Sequence, residues 1–392
     1  MSNQVAVKPK YSGKQVIKAG EILIADDISE DMPKFSEMMD ILSYWRFSHE
    51  EPLEKALEII QENSKKFDKK TICAKRLKRH FSIVNKLRRF DYMKLKNMQD
   101  IAGCRAIVSS LKKLRKIERE LKKKKEFRIK EGLPKFKDYI ANPKHDGYRG
   151  LHLIGKFPDI YGTSKLVEVQ VRTITQHYWA TALEIVDLFT KQSLKTNQGE
   201  NVWKDFFKDM GTIFEVIDSI HRFNDISHQA QFDRLFEEIV LTSNVQRKKE
   251  LTVCCKRIVQ SCKNLKVNEK LVAYTGSLKI VDDRLENEKV EGYVLLKIEL
   301  NKFRVQSILH ADNESAAREY ILLEKQAARN DDLVVAMVYS DAVGGIKDAY
   351  PNYFADSTVF LRYLGFVRRI YQLSNDEKSV STGFLKRIFR IN

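Results

Sequence analysis

The sequence predicts an α+β fold: a mixed β-sheet flanked by helices, then a helical extension and a small C-terminal α/β domain. Three observations predict it. IAGCRAIV from Ile101 is a short, nearly continuous apolar run of strand length, and LVEVQVRT from Leu166 alternates with the period of two of a half-buried strand. Apolar residues recur at helical spacing on either side of them, over 32–60 and again over 173–268. Beyond Lys270 the texture changes to short strand-like runs around one helical segment.

Taken in order, residues 1–30 read as a polar, weakly patterned arm. Phe35, Met38, Met39 and Leu42 space out a first helix, and Ser48 to Glu51 followed by Pro52 reads as a capping box opening a second. The basic stretch TICAKRLKRHFSIVNKLRRF follows, with Arg76, Lys78, Arg79, Lys86, Arg88 and Arg89 around an apolar core. That cation density requires an anion or acidic groups among it. IAGCRAIV suits a strand buried on both faces, opened by Asp100. Leu111, Leu114, Ile117 and Leu121 mark a helix whose other faces are Lys and Arg, ending in the run Lys122 to Lys125; a solvated face is the plain reading and an RNA-tracking face the sharper one. Trp203, Phe206, Phe207, Met210, Ile213, Phe214 and Ile217 form one helical stripe, a core signature. EGYVLLKIEL and RVQSIL read as a hairpin, ESAAREYILLEKQAARN as a helix, DLVVAMVYS as a buried strand and 350–370 as a closing helix. The domain boundaries follow as 1–69, 70–195, 196–270 and 271–392.

With 392 residues, 43% of them hydrophobic, the chain can bury a sizeable core. Its 70 Lys and Arg against 53 Asp and Glu give +17, which favours anionic partners, nucleotides or RNA. No apolar run nears the roughly 20 residues that span a bilayer, and MSNQVAVKPK lacks a signal-peptide core, so the expectation is a cytoplasmic protein without membrane partners. The five cysteines make no CxxC pair and point to reduced thiols, not to zinc.

The most informative stretch runs from Lys137 to Arg172. With a period of two, Val167, Val169 and Val171 take one strand face, and Glu168, Gln170 and Arg172 share the other. Lys137, Lys144, Tyr148 and His152 surround a glycine-containing turn, a set of cations and rings suited to gripping a nucleotide.

Four ordered blocks, KRLKRHFSIVNK, DIAGCR, KDYIANPKHDGYRGLH and EVQVRT with the following QHYWATALE, resemble the RelA/SpoT nucleotide pyrophosphokinase domain over about residues 70–190. The resemblance implies a nucleotidyltransferase-like mixed sheet and transfer of the β,γ-pyrophosphate of ATP to the 3′ hydroxyl of GDP or GTP, giving (p)ppGpp and AMP. It implies ATP contacts by Arg76, Lys78, Ser82, Lys86 and Arg105, and acceptor contacts by Lys137, Lys144, Tyr148, His152, Gln170 and Arg172. Tyr148 would stack on the acceptor base, and His177 matches the histidine opening the next helix. Asp100 and Glu168 would be the catalytic pair, both holding Mg²⁺, with Glu168 also accepting the hydroxyl proton. Trp179 and Ala180 match the small synthetase-only members, and nothing in 1–70 resembles the family's hydrolase domain. Asp146, Arg149 and Gly150 depart from the family loop. With the basic helix, Arg149 keeps a second reading open, in which tRNA or an adenine nucleotide is the acceptor; a non-catalytic nucleotide- or RNA-binding module is a third. A homo-oligomer is left open.

Overall fold

The computed structural model describes residues 10–25, 28, 31–130, 132–190, 194, 199–219, 245–272, 293–299, 304–310, 313–330, 332–339 and 358–376. Six strands form the main sheet: β1 Ile72–Leu77, β2 Ala102–Val108, β3 Arg128–Lys130, β4 Leu133–Asp138, β5 Leu151–Pro158 and β6 Ser164–Thr173. Their order is β1-β2-β6-β5-β4-β3, and the β2–β6 pair is parallel while its neighbours are antiparallel. β6 has the expected alternation: Val167, Val169 and Val171 are fully buried, whereas Glu168 and Gln170 are half-buried opposite them. β2 differs from expectation. Ala102, Cys104, Ala106 and Val108 enter the core, but Gly103 and Arg105 are only half-buried, because the second face of this central strand floors an open cleft.

Helices α3 (Glu50–Phe67) and α5 (Leu111–Lys123) cover the apolar face of the sheet, setting Leu53, Ala56, Ile60, Leu114, Ile117 and Leu121 against the three valines of β6. Each such side chain, once fully buried, contributes roughly 1.5–3 kcal/mol of apolar transfer. At the chain start a helix, α1 (Gly13–Leu23), replaces the weakly patterned arm. Ser12 and Gln15 cap it reciprocally, and Val16, Ala19 and Leu23 pack against α2 (Met32–Phe47) and α4 (His80–Arg89). The capping box expected at Ser48 does not form. α2 runs almost directly into α3, so the Ser48 hydroxyl donates to the Trp45 carbonyl at 2.7 Å and serves the end of α2 instead.

After β6 come α6 (Ile174–Thr190), α7 (Asn201–Ser219) and α8 (Val245–Leu265). The aromatic stripe of α7 is core, as its spacing predicts, and Phe360 and Tyr363 of α10 (Thr358–Asp376) close over Phe206, Phe207 and Phe214. Residues 350–357 of the anticipated closing helix lie outside the described residues. A second sheet of order β8-β7-β9 contains β7 Tyr293–Glu299, β8 Arg304–His310 and β9 Leu333–Tyr339, with β7 and β8 antiparallel as the hairpin reading expects. Leu295, Leu333 and Val335 pack against Tyr320 and Leu323 of α9 (Asn313–Ala327), whereas Leu296 and Ile298 join the core of α7. α9 meets α2 through Lys325, which donates to Ser36 at 2.9 Å and pairs with Asp40 at 2.7 Å. All five cysteines are free thiols; Cys104, Cys254, Cys255 and Cys262 are buried and Cys73 half-buried. No helix among the described residues is long and apolar enough to cross a membrane.

Candidate active site

Cross-strand register explains how residues distant in sequence meet. Arg76 of β1 lies opposite Gly103 of β2, which lies opposite Glu168 of β6. One row along, Ala74, Arg105, Gln170, His152 and Lys137 face one another across five strands. Residues directly opposite in a ladder share a sheet face. Two rows of polar side chains therefore stand on the face that α3 and α5 leave open. The open cleft above them is lined by Lys75, Arg76, Asp100, Arg105, Glu168 and Gln170 among others.

Asp100 sits just ahead of β2 and lines this cleft. Its carboxylate accepts from Lys78 at 3.0 Å and from Lys86 of α4 at 2.7 Å. Burial acts to raise its pKa, but the two ammonium groups prevail and hold it below the ordinary carboxylate range. Lys78 is in turn lowered, chiefly by burial and then by Arg76, against the attraction of Asp100. The basic stretch thus finds counter-charge inside the chain. Ser82 is half-buried one helical turn before Lys86 on α4 and does not line the cleft in this structure.

A polar chain holds Glu168 in the same cleft lining. Its Oε1 accepts from His152 Nδ1 at 2.9 Å, and its Oε2 accepts from Gln170 Nε2 at 2.6 Å. Arg172 donates to Gln170 Oε1 at 2.7 Å, and the Tyr148 hydroxyl and His152 Nε2 share a hydrogen bond at 2.5 Å. Burial would raise the Glu168 carboxyl; His152, Gln170 and Lys78 overcome it and keep the pKa well below the usual range. Glu168 is therefore a persistent anion. Each of the two carboxylates accepts two hydrogen bonds, about half of its lone-pair capacity, and retains acceptor sites for a further cation.

Tyr148 is 8% exposed, enclosed edge-on by Tyr139, His152 and Trp179, with Lys144 4.8 Å and Arg172 5.2 Å from its ring centre. Tyr139 escapes the sequence reading. It stands just past β4, half-buried, 5.2 Å from His152 and 4.9 Å from the Lys144 ammonium. Lys137 and Lys144 are both exposed at this rim.

The departures in the loop acquire physical reasons. Asp146 Oδ1 accepts from the Tyr148 amide at 2.9 Å, a local turn that Asn makes equally well. Arg149 does not face an acceptor. It is buried, 3.8 Å from Asp218 of α7, whose carboxylate also accepts from Thr173, Thr175 and Gln176. Gly147, at φ +89°, lets the loop press on α7: a Cβ built on Gly211 would come within 2.8 Å of the Gly147 carbonyl. His177 is buried in α6, and burial followed by Arg105 and Arg172 drives its pKa far down, so it stays neutral. Asp218 and the Gly147–Gly211 contact carry no local sequence signal, since each joins segments far apart in the chain.

The family described as the region found in RelA / SpoT proteins matches residues 75–186, which span β1 to α6 and include both cleft carboxylates. The chain carries a RelA/SpoT domain. The GTP pyrophosphokinase YwaC of Bacillus subtilis (strain 168) is 38% identical over 115 residues, 27% of this chain and 52% of that protein. The GTP pyrophosphokinase YjbM of the same organism is 34% identical over 111 residues, 27% of this chain and 51% of that protein. The chain spans about half the length of these curated relatives. Among solved structures, the small alarmone synthetase 2 from Bacillus subtilis is 30% identical with a TM-score of 0.37, over 46% of this chain and 93% of that one. In this chain the RelA/SpoT domain is accompanied by α1–α3 before it and by α7–α10 with the second sheet after it.

Proposed function

We propose that the RelA/SpoT domain of this chain is a pyrophosphokinase that moves the β,γ-pyrophosphate of ATP to the 3′ hydroxyl of GDP or GTP, releasing AMP. The observation that carries this reading is the convergence of Asp100 and Glu168 on one cation-lined cleft. In the transfer a bond forms between the 3′ oxygen and the β phosphorus while the bond from that phosphorus to the bridging oxygen of AMP breaks. Charge moves toward the leaving AMP, so fixed cations on that side stabilise the transition state. Arg76, Lys78, Lys86 and Arg105 are the cations assigned to it; Ser82, off the cleft, is left without a phosphate contact.

The donor set fits Mg²⁺. No group of three or more His, Cys, Asp or Glu side chains comes together among the described residues. Mg²⁺ is instead bound through one or two carboxylates plus phosphate oxygens and water, and Asp100 and Glu168 offer that pair. The ion would supply neutralisation of the polyphosphate charge. Glu168, ionised throughout the physiological range and oriented by His152, accepts the hydrogen bond and then the proton of the attacking hydroxyl. Gln170 and Arg172 hold Glu168 in place; the ring of Tyr148 is buried in this structure and closed to the expected base stacking, and the half-buried Tyr139 with Lys144 at the rim is the wall assigned to the acceptor base.

The burial of Arg149 at Asp218 removes one of the two features that favoured tRNA as acceptor. The other, the basic helix α5, is partly neutralised within the chain: Lys113 pairs with Asp68, Arg115 with Asp138 and Glu118, and Lys122 with Glu118. The test is a coupled assay for AMP. AMP released only when GDP or GTP accompanies ATP is the expected result, and release that is indifferent to a guanine nucleotide overturns the reading.

A further inference from the structure

α4 is the helix that sends Lys86 to Asp100, and its beginning is incomplete on its own. Arg79, at the cap position, is a donor-only side chain and cannot accept from the amides of the first turn. The acceptor comes from elsewhere. Oε1 of Glu324, in α9, takes the His80 amide at 3.2 Å, across 244 residues of sequence. A carboxylate there satisfies one of the open N–H groups and lies favourably along the helix dipole, as the three cations of the last turn, Lys86, Arg88 and Arg89, do at the other end.

Glu324 is held in place with little freedom. It pairs with Arg46 of α2 and accepts the Tyr320 hydroxyl at 2.8 Å, while Arg46 NH2 donates to that hydroxyl at 3.2 Å. Arg46 is 1% exposed and Glu324 4%. Taking two charges this far out of water yields little net stability, but removing either partner is costly, which suits a contact that fixes register. Three elements, α2, α4 and α9, meet at this one carboxylate.

We propose that Glu324 is a positioning residue for the nucleotide site, a cap supplied in trans through which the C-terminal part of the chain sets α4 and hence Lys86 against Asp100. Its kinetic consequence rests on the pyrophosphokinase reading; its structural consequence does not. The test uses the full chain with three variants: Glu324→Gln, which keeps an oxygen acceptor; Tyr320→Phe; and the apolar pair Arg46→Met with Glu324→Leu, which removes the cap without stranding a charge. First-turn amides of α4 are followed by hydrogen exchange, binding of a non-hydrolysable ATP analogue by calorimetry, and KM for ATP and for the acceptor by AMP release, with melting as the check on folding.

The apolar pair is expected to exchange faster in α4, to bind the analogue about fivefold more weakly and to raise KM for ATP with kcat and acceptor KM little changed, about the effect of a lost cap. Glu324→Gln keeps the acceptor but strands the Arg46 charge, so it should melt lower while its folded form binds the analogue within about twofold of wild type, and Tyr320→Phe falls between the two in affinity. A folded apolar pair with wild-type α4 exchange and analogue affinity overturns the proposal. So does a Glu324→Gln variant that loses affinity while α4 stays protected, which decides the matter if the apolar pair does not fold. Should the wild-type chain release no AMP, the pyrophosphokinase reading fails, and exchange with analogue binding still judges the cap.

Discussion

At the scale of single residues the proposed reaction rests most on Glu168, a carboxylate held ionised by His152, Gln170 and Lys78. Replacing it with Gln keeps volume and most hydrogen bonding but removes the charge, so AMP release falls by about 10²- to 10⁴-fold with the melting temperature nearly unchanged. A loss below tenfold in steady-state kinetics would remove Glu168 from the reaction. The buried histidines make a separate prediction about pH. Burial lowers His49 to about 3 and His80 to about 4, and His177 lies well below its ordinary value. Unfolded histidine titrates near 6.5, so between roughly pH 6.5 and 4 the unfolded chain binds more protons than the folded one. Stability therefore falls on acidification through that window, by up to about 1.4 kcal/mol per pH unit for each histidine. Denaturant melts at pH 7, 6 and 5 check it, and an unchanged midpoint contradicts it.

Among the elements, β6 was legible because one face is core and the other is cleft, which is the situation a period of two reports. β2 was legible as a strand but not in its exposure, since its glycine and arginine at 103 and 105 look the same whether covered or lining a cavity. α1 was missed although Ser12, Gln15, Val16, Ala19 and Leu23 carry both a capping box and helical spacing; the short, polar flanks hid them. At the site, Asp100, Glu168, Arg76 and Arg105 were readable from four blocks. The inward turn of Arg149 was not, because its partner Asp218 belongs to another helix. The seat of the acceptor loop on α7 yields an element-scale prediction. In Gly211→Ala the new methyl would meet the Gly147 backbone carbonyl at 2.8 Å, and the loop must shift. Overpacking of this kind costs typically 1–3 kcal/mol. Acceptor KM should rise more than ATP KM; equal changes in both would show that α7 does not position the loop.

Over the whole molecule, the RelA/SpoT domain is held from two sides: α9 reaches α2 and α4, and α10 locks α7 behind the acceptor loop. Phe360 touches Phe206, Phe207 and Phe214 and is 1% exposed, so Phe360→Ala should cost about 3–5 kcal/mol. A chemical-denaturation difference under 1 kcal/mol would mean that this packing is not part of the cooperative fold. The central claim, that two carboxylates in one cleft serve pyrophosphoryl transfer, has a more direct test. ATP labelled in its γ-phosphate is offered with GDP, GTP, ADP and tRNA in parallel, and the products are separated by thin-layer chromatography. The label should move to GDP or GTP, with one AMP formed per transfer, and should stay on ATP when Asp100→Asn or Glu168→Gln replaces the wild-type chain. Label on tRNA or ADP alone, or on no acceptor at all, would contradict the assignment.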